Sequence, residues 1–349
     1  MEKAEIRSMT RTEMEAFIKE LGLPTFRAGQ IYSWLHQHNA EQFDEMTNLS
    51  KPLREQLAQR AYIDTVKVKK KLVSAIDGTV KYLYELADGN CVEAVLMQYV
   101  HGASLCISTQ VGCRMGCKFC ASTLSGLQRN LTASEMLGEV YAAVKDSGKR
   151  VDSLVLMGIG EPMDNFDNVT KFLELLSSKD GYNLSLRHVT LSTCGVVDGI
   201  YKLAEKKYPL TLAVSLHAPS NELRNKTMPI NARYNVETLI KACKDYFAAT
   251  GRRVTFEYAL IAGVNDSETA AKQLCNLVKG LNCHINLIPV NEVKERGLKR
   301  SSKDDIKRFQ KILEQFGLNA TVRRELGADI SAACGQLRRE QSQKEGDAL

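Results

Sequence analysis

No window of the 349-residue sequence approaches the roughly 18 apolar residues that a membrane-spanning helix needs. The stretch Met1-Glu2-Lys3-Ala4-Glu5-Ile6-Arg7 lacks the apolar region of a secretory signal. A cytoplasmic protein with no membrane association is therefore expected. Neither charge sign dominates: 47 Lys and Arg face 41 Asp and Glu, and a net charge of +6 suits a polyanionic partner without requiring one. Internal repeats are absent. What is present is an ordinary globular composition, 44% hydrophobic and 25% charged, enough for one large core and a smaller second one. Ten cysteines in a chain expected in a reducing compartment point to metal or catalytic roles before structural disulfides, above all where they cluster.

Residues 10 to 60 read as short helices. Thr12 is a candidate cap for a run carrying Met14, Phe17, Ile18 and Leu21, and Ile31, Trp34 and Leu35 mark a second apolar face. From 67 to 109, apolar runs such as Val80-Lys81-Tyr82-Leu83-Tyr84 are separated by Asp77-Gly78, Asp88-Gly89 and His101-Gly102, which are hairpin signals. Beyond residue 104, strand patterns near 104–109, 153–158, 187–193, 210–216, 253–260 and 284–289 alternate with helical periods. The helical periods lie near 132–147, 167–178, 198–206, 235–249, 267–280 and 303–316. Six β/α units fall short of the eight of a closed barrel, so an open, partial β/α barrel is expected, with its site at the C-terminal ends of the strands. The expected division is a helical accessory domain (1–65), a β-meander (66–103), the barrel (104–339) and a loose polar tail (340–349).

Directly after the first barrel strand comes Cys113-Arg114-Met115-Gly116-Cys117-Lys118-Phe119-Cys120. A zinc site would want a fourth ligand from a second Cys-x-x-Cys or a His pair. Neither exists, and Cys106 alone remains to complete one. Three thiolates at these spacings suit a cubane iron–sulfur cluster in which a fourth iron stays open. The C-x3-C-x2-C pattern, with an aromatic residue before the last cysteine, resembles the radical S-adenosylmethionine (SAM) superfamily. That resemblance implies SAM chelated at the open iron and cleaved to a 5′-deoxyadenosyl radical.

After the second strand stands Gly158-Ile159-Gly160-Glu161-Pro162. Met163 occupies the third-glycine position of a dinucleotide fingerprint and Pro162 sits where the loop should enter a helix, so that reading fails. A loop presenting carbonyls and a carboxylate to the SAM ammonium remains, beside a plain glycine turn with a solvated Glu. Other strand ends carry Ser192, Ser215-Leu216-His217 and Asn291. For His217 a hydrogen-bonded structural role is preferred to acid–base chemistry, with a cofactor contact allowed.

Four segments together closely resemble the bacterial dual-specificity rRNA and tRNA adenine-C2 methyltransferases. They are Leu105-Cys106-Ile107-Ser108-Thr109-Gln110-Val111-Gly112-Cys113, Gly160-Glu161-Pro162, Ser215-Leu216-His217-Ala218-Pro219, and the C-terminal run from Gly327 to Leu337 that contains Cys334. The resemblance runs from about residue 10 to about residue 339 without a break in its motifs. It implies a [4Fe-4S] cluster on Cys113, Cys117 and Cys120, and two SAM molecules per turnover, one as methyl donor and one as radical source. By the same resemblance Cys334 becomes S-methylcysteine, and Cys106 resolves the RNA adduct by a transient disulfide with Cys334. Glu93 accepts the C2 proton, although spacing alone would make it a solvated strand residue. Gly160, Glu161, Ser192, Ser215, Leu216, His217 and Asn291 contact SAM.

The implied partners are 23S rRNA at the peptidyl-transferase centre, certain tRNAs at the adenine beside the anticodon, and an electron donor such as a flavodoxin-type protein. A monomer is expected. Basic segments at Lys67–Lys71, Lys294–Lys303 and Arg338-Arg339 are available for RNA, each with a solvated face as its plainer meaning. The rival readings are the sibling adenine-C8 rRNA methyltransferase that confers antibiotic resistance, against which Pro162 leans, and a non-catalytic zinc-stabilised RNA-binding protein.

Overall fold

The computed structural model describes residues 3–291, 293 and 295–337, so the expected polar tail lies outside the described residues. At the N-terminus two Thr-x-x-Glu boxes overlap, Thr10–Glu13 and Thr12–Glu15. The earlier one is used: the Thr10 hydroxyl accepts from the Glu13 backbone N–H while the Glu13 carboxylate accepts from the Thr10 N–H. Thr12, expected as the cap, is instead the second residue of α1 (Arg11–Glu20). Starting earlier lets Arg11 pair with Glu15 one turn on, at 2.9 Å. Helices α2 (Phe26–His36) and α3 (Lys51–Arg60) follow, and strands β1 (Ala4–Glu5) and β2 (Ala61–Tyr62) pair in parallel to close this unit.

The meander is β3 (Lys67–Val73), β4 (Val80–Glu85), β5 (Cys91–Tyr99) and β6 (Gly102–Cys106), antiparallel throughout. Its last strand is also the first of the parallel sheet, so meander and barrel share one ten-stranded sheet. After β6 the chain forms a small antiparallel ribbon, β7 (Gln110–Gly112) and β8 (Leu127–Asn130), with the cysteine loop between its strands. The barrel proper continues with α4 (Ala133–Ser147), β9 (Ser153–Leu156), α5 (Phe166–Ser177), β10 (Val189–Thr193) and α6 (Val197–Lys206). It ends with β11 (Thr211–Ser215), α7 (Asn221–Thr227), α8 (Val236–Thr250), β12 (Val254–Leu260), α9 (Glu268–Leu277), β13 (Cys283–Pro289), α10 (Lys303–Gln315) and β14 (Ala320–Val322).

Strands β6, β9, β10, β11, β12, β13 and β14 are parallel in that order, and β14 and β3 are the two free edges, so the sheet stays open. The parallel set has one strand more than the sequence pattern suggested. Three residues with an exposed Thr and Val leave β14 too short to show a period.

The helical unit is not loosely tethered. The buried Arg7 guanidinium donates to Ala40 O at 2.6 Å and Asp64 O at 2.9 Å and lies against the Tyr141 ring of α4, whose hydroxyl meets His36 Nδ1 at 2.9 Å. One apolar core runs unbroken from Met14 and Ile31 of the head to Phe256 and Phe309 of the barrel. No helix among the described residues is long and apolar enough to cross a membrane.

Candidate active site

The cysteine loop is placed by the β7–β8 ribbon. Gly112 lies at φ +78°, and a side chain there would strike the Gly126 carbonyl oxygen, 1.9 Å from an added Cβ, so only glycine lets the ribbon close. Cys113, Cys117 and Cys120 then border one cavity of about 150 Å³ at the C-terminal ends of the parallel strands. Around Cys117 and Cys120 stand Met115, Phe119, Cys194 and Met228, an apolar shell. Burial pushes the Cys113 thiol up to about 12 and raises Cys117 and Cys120 as well, so bare thiols there hold their protons and iron binding must release them. Arg224 near Cys117 and Arg296 near Cys120 pull the other way and suit thiolates.

The donor set fits a cubane. Among the described residues, no three His, Cys, Asp or Glu side chains converge as one metal ion would require, and a cubane with a different iron for each thiol does not ask for that convergence.

Gly160, Glu161, Ser192, Ser215, His217, Asn291 and Cys334 border the same cavity. Gly160 sits at φ +114°, where an added Cβ would lie 2.8 Å from Gln110 N, so glycine brings this loop against β7. The Glu161 carboxylate accepts from Met163 N–H at 3.0 Å and Cys194 N–H at 2.7 Å; burial raises its pKa and these two donors oppose the rise. The imidazole of His217 is neutral, its pKa lowered to about 3 by burial and then by Arg224, and Nδ1 accepts from Ala259 N–H at 2.9 Å. Nε2 therefore carries the proton. The Leu216 side chain, between two lining residues, is buried in the core and does not border the cavity.

The buried Arg224 guanidinium donates to the carbonyls of Cys194, Ser215 and Leu216, which ties the ends of β10 and β11 together.

Glu93 and Cys106 lie behind this cavity rather than on it. On one sheet face Lys81, Val95 and Cys106 stand in a cross-strand row, and Glu93 lies two residues before Val95 on the same face. Glu93 is 1% exposed and its carboxylate lies 2.6 Å from Lys81 Nζ, a buried ion pair and not the solvated strand residue that spacing suggested. Cys106 is pushed up to about 12 by burial first and by Cys334 second, with Arg323 acting against the rise.

The segment from 327 to 337 folds back over the mouth. Gly327 N–H donates to Asp77, Ser74 and Ala75 donate to Asp329, and Lys81 donates to Ser331 O. Ala121 and Ser122, just past the cluster loop, donate to Gly335 O and Leu337 O, and Asn291 Nδ2 donates to Cys334 O at 3.0 Å. All ten cysteines are free thiols, so the Cys106–Cys334 bond is no part of the resting fold.

Two charged lining residues carry no motif in the sequence: Arg323 follows the short β14, and Glu257 sits inside the apolar β12 run, accepting from Asn286 Nδ2 at 2.7 Å with Arg323 at 3.9 Å. The basic segments differ from free solvated runs. Lys69 pairs with Glu85, Lys71 with Asp146 and Arg300 with Glu325, and Arg296 donates to Thr123 Oγ1 in the cluster loop. Lys294 and the Arg338-Arg339 pair lie outside the described residues.

Residues 4–63 match the ribosomal RNA large subunit methyltransferase N-terminal domain, and residues 107–274 match the radical SAM superfamily. The chain is 54% identical over 343 residues to a probable dual-specificity RNA methyltransferase RlmN of Lachnoclostridium phytofermentans, covering 98% of this chain and 96% of that protein. It is 52% identical to one from Alkaliphilus oremlandii, covering 98% and 100%. A radical SAM methyltransferase crystal structure from Sphaerobacter thermophilus superposes with a TM-score of 0.92 at 43% identity, covering 96% of this chain and 99% of that one.

Proposed function

The chain belongs to the dual-specificity RNA methyltransferases of the radical SAM superfamily, with a [4Fe-4S] cluster and SAM as cofactors, and from that membership we propose its reaction and the roles of its residues. It methylates carbon 2 of an adenine in 23S rRNA at the peptidyl-transferase centre and of the adenine beside the anticodon in certain tRNAs. The observation that carries this reading is the position of Cys334, held by Asn291 and the cluster loop over the cavity bordered by Cys113, Cys117 and Cys120. Adenine C2 has no lone pair with which to attack a methyl cation equivalent, so a sulfur that first stores the methyl group beside a radical source answers a real chemical need.

Cys113, Cys117 and Cys120 hold the cluster. Gly160, Glu161, Ser192, Ser215, His217 and Asn291 hold SAM, Glu161 through lone pairs its two backbone donors leave free. When bound, cluster and SAM supply a 5′-deoxyadenosyl radical able to take hydrogen from an S-methyl group. The Cys334 sulfur loses its proton, takes a methyl group from the first SAM, and after hydrogen loss links the methylene carbon to C2. The adduct would return one electron to the cluster held by Cys113, Cys117 and Cys120, and Glu93 accepts the C2 proton. Cys106 thiolate then attacks the Cys334 sulfur: the S–S bond forms, the S–C bond breaks, and its electron pair with a proton completes the new methyl group.

Two electrons and two protons from an external thiol reductant restore both thiols. A flavodoxin-type protein reduces the cluster, and the enzyme acts as a cytoplasmic monomer whose head (1–65) and meander (66–103) grip folded RNA beside the barrel (104–339). The test is anaerobic reconstitution with iron and sulfide, then incubation with SAM, reductant and rRNA fragments. 5′-Deoxyadenosine together with 2-methyladenine is expected. Methylation at C8 overturns the assignment in favour of the sibling enzyme.

A further inference from the structure

Cys334 borders two hollows. One is the cluster cavity; the other is a smaller pocket that shares Ile288, Asn291, Arg323 and Cys334 with it and is otherwise lined by Tyr99, Arg300, Arg324 and their neighbours. On the cluster side the sulfur would face the groups that generate the radical, which leaves the smaller pocket as the open approach for a base to the same sulfur-bound carbon.

Three guanidinium groups line that other side, and two are already matched: Arg323 lies 3.9 Å from Glu257 and Arg300 lies 2.5 Å from Glu325. Arg324 is exposed and makes no ion pair or hydrogen bond among the described residues. An unmatched guanidinium on the rim of a pocket offers the fork geometry that a phosphate takes in two parallel hydrogen bonds. In the same pocket, the half-buried Tyr99 ring stacks on His101 with centroids 5.2 Å apart and 13° between planes, a preformed aromatic platform.

We propose that this pocket is the subsite that receives the sugar-phosphate of the target nucleotide, with Arg324 on its phosphodiester and Tyr99 against its sugar or neighbouring base. The inference rests on the proposed role of Cys334 as methyl carrier. It sets the direction of approach: RNA reaches the sulfur over the β13–β14 edge, not through the cluster cavity.

The experiment compares wild-type holoenzyme with Arg324→Ala, Arg324→Glu and Arg324→Lys, with Lys279→Glu as a charge control, since Lys279 is exposed at the opposite, N-terminal ends of the strands. Affinity for a labelled rRNA fragment is measured by anisotropy over a salt series, and thermal unfolding checks each fold. Arg324→Ala should weaken binding several-fold and lower the salt slope by about 0.7 to 0.9, the share of one phosphate contact. Arg324→Glu should weaken it further, and Arg324→Lys should retain the slope. Wild-type affinity and slope in Arg324→Glu overturn the proposal, and so does an equal loss in Lys279→Glu. Failure of the underlying reading shows elsewhere, as wild-type protein that binds RNA and cleaves SAM but transfers no methyl group.

Discussion

Lys81 Nζ and the Glu93 carboxylate, on neighbouring antiparallel strands and both buried, lie 2.6 Å apart, and the same ammonium donates to Ser331 O in the loop that carries Cys334. One side chain thus sits beside the proposed proton acceptor and also anchors the segment that brings the proposed methyl carrier, Cys334, over the cavity. Lys81→Met should cost about 3 kcal/mol or more in urea unfolding, because a buried carboxylate loses its ammonium. Glu93→Gln, which keeps the shape and removes the charge, should cost less, bind RNA normally and stall with RNA covalently attached. Wild-type turnover by Glu93→Gln would end its role as proton acceptor.

Replacing any one of Cys113, Cys117 or Cys120 by Ala should abolish 5′-deoxyadenosine formation, since three thiols on one loop leave no spare ligand for a cubane. The check is product analysis by mass spectrometry beside the brown absorbance of the reconstituted protein. Normal SAM cleavage in a colourless variant contradicts the assignment.

The two working thiols should stall the reaction at different points. Cys334→Ala has no sulfur to take the first methyl group and should leave RNA unmodified and never joined to protein. Cys106→Ala should load Cys334 and add to the base, then accumulate a slow band on denaturing gels that depends on SAM and reductant. That band should vanish in the double variant. Unimpaired turnover by Cys106→Ala would reduce Cys106 to a packing residue of β6.

Burial sets the pH response of the resolving step. Burial, the first cause of the raised Cys106 pKa, persists in the adduct while the contribution of the Cys334 thiol is lost on its alkylation, so near neutrality the thiolate is still scarce and decay of the adduct should quicken as pH rises from 7 to 9 where this step limits. Arg323 holds the Cys106 pKa down, so Arg323→Met should raise it and slow adduct decay at every pH in that window. Quench-flow measurement of the adduct band checks both, and a pH-independent decay rules out Cys106 thiolate as the attacking group.

The chain displays its local chemistry openly. The cysteine loop was legible because its three thiols fall within eight residues, and the β/α alternation because each helix and each longer strand carries its own period. The strand-end residues Ser192, Ser215 and Asn291 could be picked out because a parallel sheet delivers all its C-terminal ends to one side, and they border the cavity together. Glycines 112 and 160 stand where close backbone approaches demand them.

What the sequence could not decide is everything that depends on partners far apart along the chain. β14 is too short for a period and exists because β13 offers it an edge. Glu93 looked like a solvated strand charge, yet the register of β4 on β5 and the return of the 327–337 loop bury it as a pair with Lys81. The loop that carries Cys334 is returned to the meander and the cysteine loop in the same way, by hydrogen bonds to Asp77, Lys81, Ala121 and Asn291 that no local pattern announces. Local periodicity follows from side-chain geometry within a few residues. The pairing of distant charges follows from burial, where a group removed from water keeps only the partners that the fold brings to it.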